Sequence, residues 1–404
     1  MLFIKAAFCR VFQTAFRLAL PILPYREPQI VGSVRHLPEI LLKENKRGVL
    51  IVTDRGIVAN GLTASVETAL RSAGIAYTIY DQTQPNPTVC NVEEAVALYR
   101  AQGCDSLIAI GGGSAMDCAK GIGARIAHPH KTLRRMKGIL RVLRRLPLLI
   151  AIPTTAGTGS EVTLAAVITD SDRRDKYAIM SFPLIPHYAV LDAAMTVSLP
   201  PHLTATTGMD ALTHAVEAYI GHSTTKETRR LALDAVQLVF ANIENAYADG
   251  QDLQARENML HAAYKAGAAF SKSYVGYIHA VAHSLGGQYG TPHGLANAVI
   301  MPYVLEAYGA SAHRKLHELS VAAGVCTAEE SHASGAEKFI RSIRRLNASM
   351  GIPGKLTGIR REDIPALAKH AEREANPLYP VPKLMGAREL AEIYHQVADW
   401  SDMP

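Results

Sequence analysis

The feature that most narrows the possible folds is a change of texture at Pro200–Pro201. Before it, short runs rich in β-branched residues alternate with helical stretches. After it, strand-like runs nearly vanish. "GVLIVTD" (48–54), "AYTIYD" (76–81), "SLIAI" (106–110) and "LLIAIP" (148–153) read as buried strands. "GLTASVETALRSAG" and "NVEEAVALYRAQG", each closed by a glycine, read as helices between them. Strand, helix and strand repeated this way predict a mostly parallel sheet covered on both faces. Beyond residue 200, "TTKETRRLALDAVQLVFANIENAYADG" sets Leu231, Ala235, Leu238, Val239 and Ile243 on one stripe, and amphipathic runs continue to "GARELAEIYHQVADW". This second half is expected to be all helical. A chain of 404 residues is long enough for two domains. The expected organisation is an N-terminal arm over 1–27, an α/β domain over 28–199 and a helical domain over 200–404.

With 48% apolar and 19% charged residues, the chain has the composition of a folded globular protein. Much of the net charge of +6 lies in "KTLRRMKGILRVLRRLP" (131–147). That stretch has no aromatic residue for base stacking, and no nucleic-acid motif occurs elsewhere. It reads as a solvated basic face, and no nucleic-acid partner is expected. Five scattered cysteines without a CxxC pair suit a reducing cytoplasm, which is the expected location. No apolar run is long enough to cross a bilayer.

The first 26 residues contain no acid. On a helical wheel Arg10, Gln13, Thr14 and Arg17 share one side, and Leu2, Phe3, Phe8, Phe12, Phe16 and Leu20 mostly the other. The arm is expected to pack on its own or a neighbouring subunit; a membrane-surface helix and a targeting segment are the alternatives. Homodimerisation is the base-rate expectation.

"SLIAIGGGSAMDCAKGIGA" is a strand that runs into glycines and opens a helix. Gly112, Gly113 and Ser114 would present backbone N–H groups to phosphate oxygens. The standard dinucleotide fingerprint does not fit, because Met116 stands where it requires a glycine. The candidate ribose-binding acid lies upstream, at Asp54. A carboxylate there accepts from a 2′-hydroxyl and repels a 2′-phosphate, which favours NAD over NADP. "IPTTAGTGSEVT" (152–163) is a second loop dense in glycine and hydroxyl groups.

"GMDALTHAVEAY" puts Asp210 and His214 four apart, on one face of a helix. "YIHAVAHSLGGQYGTPHG" adds His279 and His283, again four apart, and His293, which between Pro292 and Gly294 reads as held in a tight turn. A carboxylate with several imidazoles suits Fe(II), Zn(II) or a similar ion. Periodicity does not rank His279 against His283, so all five residues are candidates.

With Asp54, "PNPT", "GGGSAMDCAK", "PTTAGTGSE", "DALTHAVEAY" and the histidine stretch in this order, the chain resembles the iron-containing (group III, metal-dependent) alcohol dehydrogenases over roughly residues 28–400. The resemblance implies a dehydroquinate synthase-like architecture: an α/β dinucleotide-binding domain with a mostly parallel sheet, an all-α domain, and a metal and nicotinamide between them. It implies Asp210, His214, His279 and His293 as metal ligands, with His283 beside them as a proton-relay or positioning residue. On the cofactor side it points to Asp54 and Asn86 for the adenosine half and to Gly113 and Ser114 for the pyrophosphate, with Asp117 nearby. Thr154, Thr155, Thr163 and Lys176 match nucleotide and ribose contacts. Met195 is a looser match, since "LDAAMTVSLP" departs from the family's usual Asp-Pro. The arm and the basic stretch 131–147 depart too. The implied activity is reversible, NAD(H)-dependent hydride transfer between a primary alcohol or diol and its aldehyde, with Fe2+ or Zn2+ polarising the substrate oxygen. The alternatives are a glycerol-type dehydrogenase or a sugar-phosphate cyclase using NAD and zinc. A cyclase needs basic residues around a phosphate, and the metal motifs carry none. A membrane scaffold keeping a metal for stability alone would have no use for the nucleotide loop.

Overall fold

The computed structural model describes residues 2–173 and 175–401. The side chains of Leu2, Phe3 and Phe16, three apolar positions of the arm, lie outside the described residues. The chain folds as two compact units: residues 24–199, and residues 200–404 together with the arm up to Leu23. The arm itself is a helix, α1 (Leu2–Ala19).

In the 24–199 unit, strands β1 (Gln29–Val31), β2 (Gly48–Val52), β3 (Ala76–Tyr80), β4 (Ser106–Gly111), β5 (Gly138–Ile139), β6 (Leu148–Pro153), β7 (Ala165–Asp170), β8 (Asp175–Met180) and β9 (Tyr188–Val190) are joined by helices α2 (Leu37–Lys43), α3 (Arg55–Ala59), α4 (Ala64–Ser72), α5 (Val89–Ala101) and α6 (Gly113–Ala127). Six strands make one sheet in the order β1-β9-β6-β4-β2-β3, and the pairings are parallel. The period of two sorts its side chains. Val49, Ile51, Ile108, Ile110, Ile150 and Ile152 pack on one face with Leu37, Leu41, Val66 and Leu70. Leu50, Val52, Leu107, Ala109, Leu149 and Ala151 pack on the other with Val92, Val96, Met116 and Ile122. Both faces are covered, so β4 and β6 are buried along their whole length and show no polar alternation.

The register pairs Val52 with Ala109 and Ala109 with Ala151. The C-terminal ends of β2, β4 and β6 therefore lie side by side, and the segments after them, at Asp54, Gly112 and Thr154, share one edge of the sheet. Loops at such ends are where ligands bind in parallel sheets.

The hairpin of β7 and β8 is antiparallel and, with β5, forms a second small sheet that the strand-by-strand reading did not anticipate. It accounts for part of the basic stretch. Arg134 pairs with Asp170, and Lys137 bonds Asp175 at 2.7 Å and lies over the Tyr177 ring.

The other unit holds α7 (Pro201–Ile220), α8 (Lys226–Ala248), α9 (Leu253–Ser273), α10 (Tyr277–Tyr289), α11 (His293–Tyr308), α12 (His313–Ala322), α13 (His332–Ser349), α14 (Ile364–Ala375) and α15 (Ala387–Val397). Helix α7 is its axis: from Gly208 to Ile220 every residue is buried, with α8, α9 and α11 packed around it. Polar residues at the centre of such a helix are costly unless paired or ligating, which directs attention to Asp210, His214 and Glu217. His293 is not in a tight turn. It is the first residue of α11, following Pro292 at the cap. Among the described residues no helix is long and apolar enough to cross a membrane, and none of the five cysteines forms a disulfide.

Candidate active site

Asp210 and His214 project one turn apart from α7, His279 from α10 and His293 from the start of α11. One ligand atom from each of the four lies within 4.8 Å of the others. Asp210 Oδ1 is 3.5 Å from His293 Nε2 and 4.0 Å from His279 Nε2, and Asp210 Oδ2 is 3.9 Å from His214 Nδ1. Close packing brings the helices this near. A Cβ on Gly294 would lie 2.5 Å from the Thr206 carbonyl oxygen, so only glycine lets α11 begin against α7. The His214 ring is held between Phe270 at 4.2 Å and His279 at 4.5 Å.

Two residues absent from the sequence reading complete the cluster. Glu217, buried one turn beyond His214, bonds His279 Nδ1 at 2.6 Å and accepts from the Gly276 and Ile278 N–H groups, each at 2.8 Å. One carboxylate thus caps the start of α10 and fixes a ring on it, leaving His279 Nε2 for the cluster. Burial pushes the Glu217 carboxyl up to about 8, against the pull of those donors. Burial also holds His279 well below the usual imidazole range, and the neighbouring histidines push it the same way. Asn297, a turn after His293, donates to Asp210 Oδ1 at 2.7 Å and lies 3.1–3.2 Å from the Nε2 atoms of His293 and His279. Its Oδ1 is buried without a donor. A carboxylate and three imidazoles converge as electron-pair donors, with the Asn297 amide nitrogen turned to the same atoms. That is a set a divalent cation fits. Spacing carried a signal for both residues: Glu217 follows Asp210 by seven, and Asn297 follows His293 by four.

His283 stands outside the four. Its ring stacks on His293 at 5.2 Å, and its Nδ1 lies 2.6 Å from Glu374 Oε1, which also accepts from Tyr379 at 2.8 Å. Burial raises Glu374, but the His283 charge and these hydrogen bonds outweigh it and leave the carboxyl below its ordinary value. The side chains of His283 and His293 are 40% and 41% exposed, and that of Asp210 is 3%. The cluster is walled on the α7 side and open on the side of these two histidines.

On the sheet edge, Asp54 caps α3 by accepting from Ile57 N at 3.0 Å, and its other oxygen faces Gly111. Gly112 caps α6, with Gly113 and Ser114 in its first turn. Asn86 has a left-handed backbone; its N–H donates to Ser114 Oγ, and its side chain accepts from Lys176 at 2.6 Å. Thr154 N–H donates to Gly111 O, and Thr155 and Thr158 lie against Gly112 and Gly113. These residues gather at one place. The half-buried backbone at Gly112–Ser114, opening a helix, is a cradle that fits a dinucleotide phosphate.

Three other implied cofactor contacts face inward. Asp117 accepts from Ser160 Oγ and Val167 N; Thr163 Oγ1 accepts from Lys120 Nζ at 2.9 Å. Lys120, fully buried, also donates to Ser160 Oγ and Ala165 O, tying α6 to the loop after β6. Burial lowers it to about 8. Met195 is packed in the core beneath the sheet.

Comparison with known proteins meets this geometry. Residues 29–193 match the iron-containing alcohol dehydrogenase profile, and residues 204–398 match the C-terminal part of the Fe-containing alcohol dehydrogenase family. The 1,3-propanediol dehydrogenase of Klebsiella pneumoniae is 39% identical over 385 residues, 94% of this chain and 98% of that protein. A crystal structure of a 1,3-propanediol oxidoreductase superposes with a TM-score of 0.89 at 36% identity, covering 92% of this chain and 99% of that one. The sulfoacetaldehyde reductase of Bifidobacterium kashiwanohense, solved with NAD+, gives 0.83 at 27% identity over 93% and 99% of the two chains. The chain belongs to the iron-containing alcohol dehydrogenase family. It is accordingly a metal-dependent alcohol dehydrogenase that uses NAD(H), built on the dehydroquinate synthase-like fold. The sugar-phosphate cyclase alternative finds no support among these relatives.

Proposed function

We propose that the protein interconverts small primary alcohols or diols and their aldehydes with NAD(H), using Fe2+ or Zn2+ held by Asp210, His214, His279 and His293. The observation that carries this reading is the convergence of those four side chains within 4.8 Å, in a chain 39% identical to a 1,3-propanediol dehydrogenase. A bound divalent ion supplies Lewis acidity toward the substrate oxygen, and NAD(H) supplies the hydride acceptor or donor.

The chain's own residues do the positioning and the proton work. Glu217 and Asn297 hold the ligand side chains in place. Substrate enters from the open side, past His293 and His283. His283 takes the alcohol proton at the ring nitrogen not bonded to Glu374 and passes it to solvent, while Glu374 fixes the ring. Asp54 and Asn86 hold the adenosine half of the cofactor. Gly112, Gly113 and Ser114 bind the pyrophosphate, and Thr154, Thr155 and Lys176 reach the remaining nucleotide oxygens. Asp117 and Thr163 act through the Lys120 network, and Met195 through packing beneath the sheet. Residues 28–199 form the dinucleotide domain and 200–404 the catalytic one. A reducing cytoplasm and a homodimeric assembly complete the reading.

The test is elemental analysis of anaerobically purified protein, paired with an NAD(H)-coupled screen of alcohols and aldehydes. Stoichiometric iron or zinc and net NADH from short alcohols or 1,3-propanediol are expected. Protein that binds no divalent metal, or forms no net NADH with any alcohol, sinks the proposal.

A further inference from the structure

Helix α1 packs on the protein through Cys9, Gln13 and the following Leu20, which are buried, and through the half-buried Arg10, while Thr14 and Arg17 stay exposed. The Arg10 guanidinium donates to the Val381 and Pro382 carbonyl oxygens, the Gln13 amide to Pro377 and Tyr379, and Ser223 Oγ to Gln13 O. Gln13 is only 3% exposed, whereas Phe8, Val11, Phe12 and Leu18 are 60%, 68%, 39% and 74% exposed, and Ile22 in the turn beyond is 83% exposed. On the helical wheel of α1, Phe8, Val11, Phe12, Leu18 and the exposed Ala15 occupy an arc of about 120° that holds no charge, with Arg17 outside it. A surface helix ordinarily buries such a stripe and wets its arginines and glutamines. Here the anchoring hydrogen bonds keep the arrangement from rolling over: turning the stripe inward would break every one of them.

The surroundings are cationic. No acid precedes Glu27. Arg17 is exposed, and its charge is felt by His222 and by Lys315, which also sits near Arg229 and Arg314. Glu318, an acid close to Lys315, is taken up by Tyr219 and Arg314. Pairing the stripe with itself across a twofold axis brings together two copies of an arm that exposes Arg17 and has no carboxylate to meet it. An anionic bilayer offers both complements at once, an apolar layer for the stripe and phosphates for the exposed Arg17 of the same helix.

We propose that α1 is an interfacial anchor, lying in the headgroup layer of an anionic lipid bilayer with Phe8, Val11, Phe12, Leu18 and Ile22 at the acyl boundary. The protein is then a peripheral one, held at the lipid surface by a helix that is itself bolted to the catalytic unit by hydrogen bonds. This inference rests on the arm alone and stands apart from the dehydrogenase reading.

The experiment is flotation of the full chain with phosphatidylcholine vesicles, with and without phosphatidylglycerol. Wild type is expected to float with the anionic vesicles. The triple variant F8E/V11E/L18E should lose at least about a hundredfold in partition, with dehydrogenase activity and helicity unchanged. Arg17→Gln should lose about fivefold. Phe8→Trp, made with Trp400→Phe, should show blue-shifted emission on anionic vesicles, a readout that does not depend on charge reversal. Equal flotation of wild type and triple variant overturns the proposal, as does failure of wild type to float. A wild-type dimer that the triple variant converts to monomer, with neither floating, would instead assign the stripe to a second copy and also overturns it.

Discussion

The two candidate sites are made of different material. The four-residue cluster is made of side chains, drawn from three helices and mostly buried. The nucleotide loop is made of backbone, at the ends of adjacent parallel strands, and is half exposed. A side-chain site fails when one residue is removed, because the others cannot supply the missing ligand. A backbone site degrades gradually, because each N–H contributes on the order of 1 kcal/mol.

That contrast can be broken in four ways. Asp210→Ala or His279→Ala should abolish metal retention and lower turnover by at least about a thousandfold, read by elemental analysis and NADH formation. Full metal content and activity in either variant would reject its place in the ligand set. Next in size, Glu217→Gln keeps the shape but weakens the hold on His279; about 10- to 100-fold loss of metal affinity is expected, measured by chelator competition, with Glu217→Asp partly rescuing. An affinity equal to wild type would leave Glu217 as a helix cap and nothing more.

The third concerns protons. His187, in the α/β unit, accepts from Leu149 N–H at 3.1 Å, and burial, with Arg26 nearby, lowers it from 6.5 to about 4. Its folded pKa lies below its unfolded one, so the unfolded chain binds the extra proton between those values. Stability is therefore present above pH 6.5 and falls as pH drops toward 4, by on the order of 2 kcal/mol. In denaturant titrations across that window, wild type should lose stability relative to His187→Gln as pH falls from 6.5 toward 4. Parallel curves would remove His187 as the cause. Smallest is the backbone site: Gly113→Val should raise the NADH dissociation constant about tenfold, the loss of one or two donor contacts, with metal content unchanged. Metal loss in that variant would show that the two sites do not fail independently.

Legibility in the sequence divides along the same line. Four strands of the parallel sheet, β2, β3, β4 and β6, and the long helices were readable because burial on two faces or one writes itself as run length and period; β1 and β9, three residues each, are too short to do so. Asp210, His214 and the three histidines stood out because few residue types ligate metals and two pairs fall at helical spacing. Glu217 and Asn297 did not, since a glutamate or asparagine on a helix is ordinarily a solvated residue, and only the fold shows that these are buried against the cluster. The β7–β8 hairpin was missed because "AAVITD" and "DKYAIM" are half-buried and flanked by charges that resemble loop. Asp117 and Thr163 carry a further layer that the glycine-rich motifs do not spell out: Ser160 and the Val167 N–H hold Asp117, and the buried Lys120 holds Thr163. The arm was read as amphipathic, which the spacing supports, yet nothing in a helical wheel says which side faces the protein.

The uneven walling of the four-residue cluster has a cost. Asp210 and His279 are sealed in, while His293, with 41% of its side chain exposed, stands at the opening. On the proposed reading, an approach that lets an alcohol reach the cluster past His293 also lets in chelators, competing ions and dioxygen, so exposure at that one ligand would set how long an easily oxidised ion survives there.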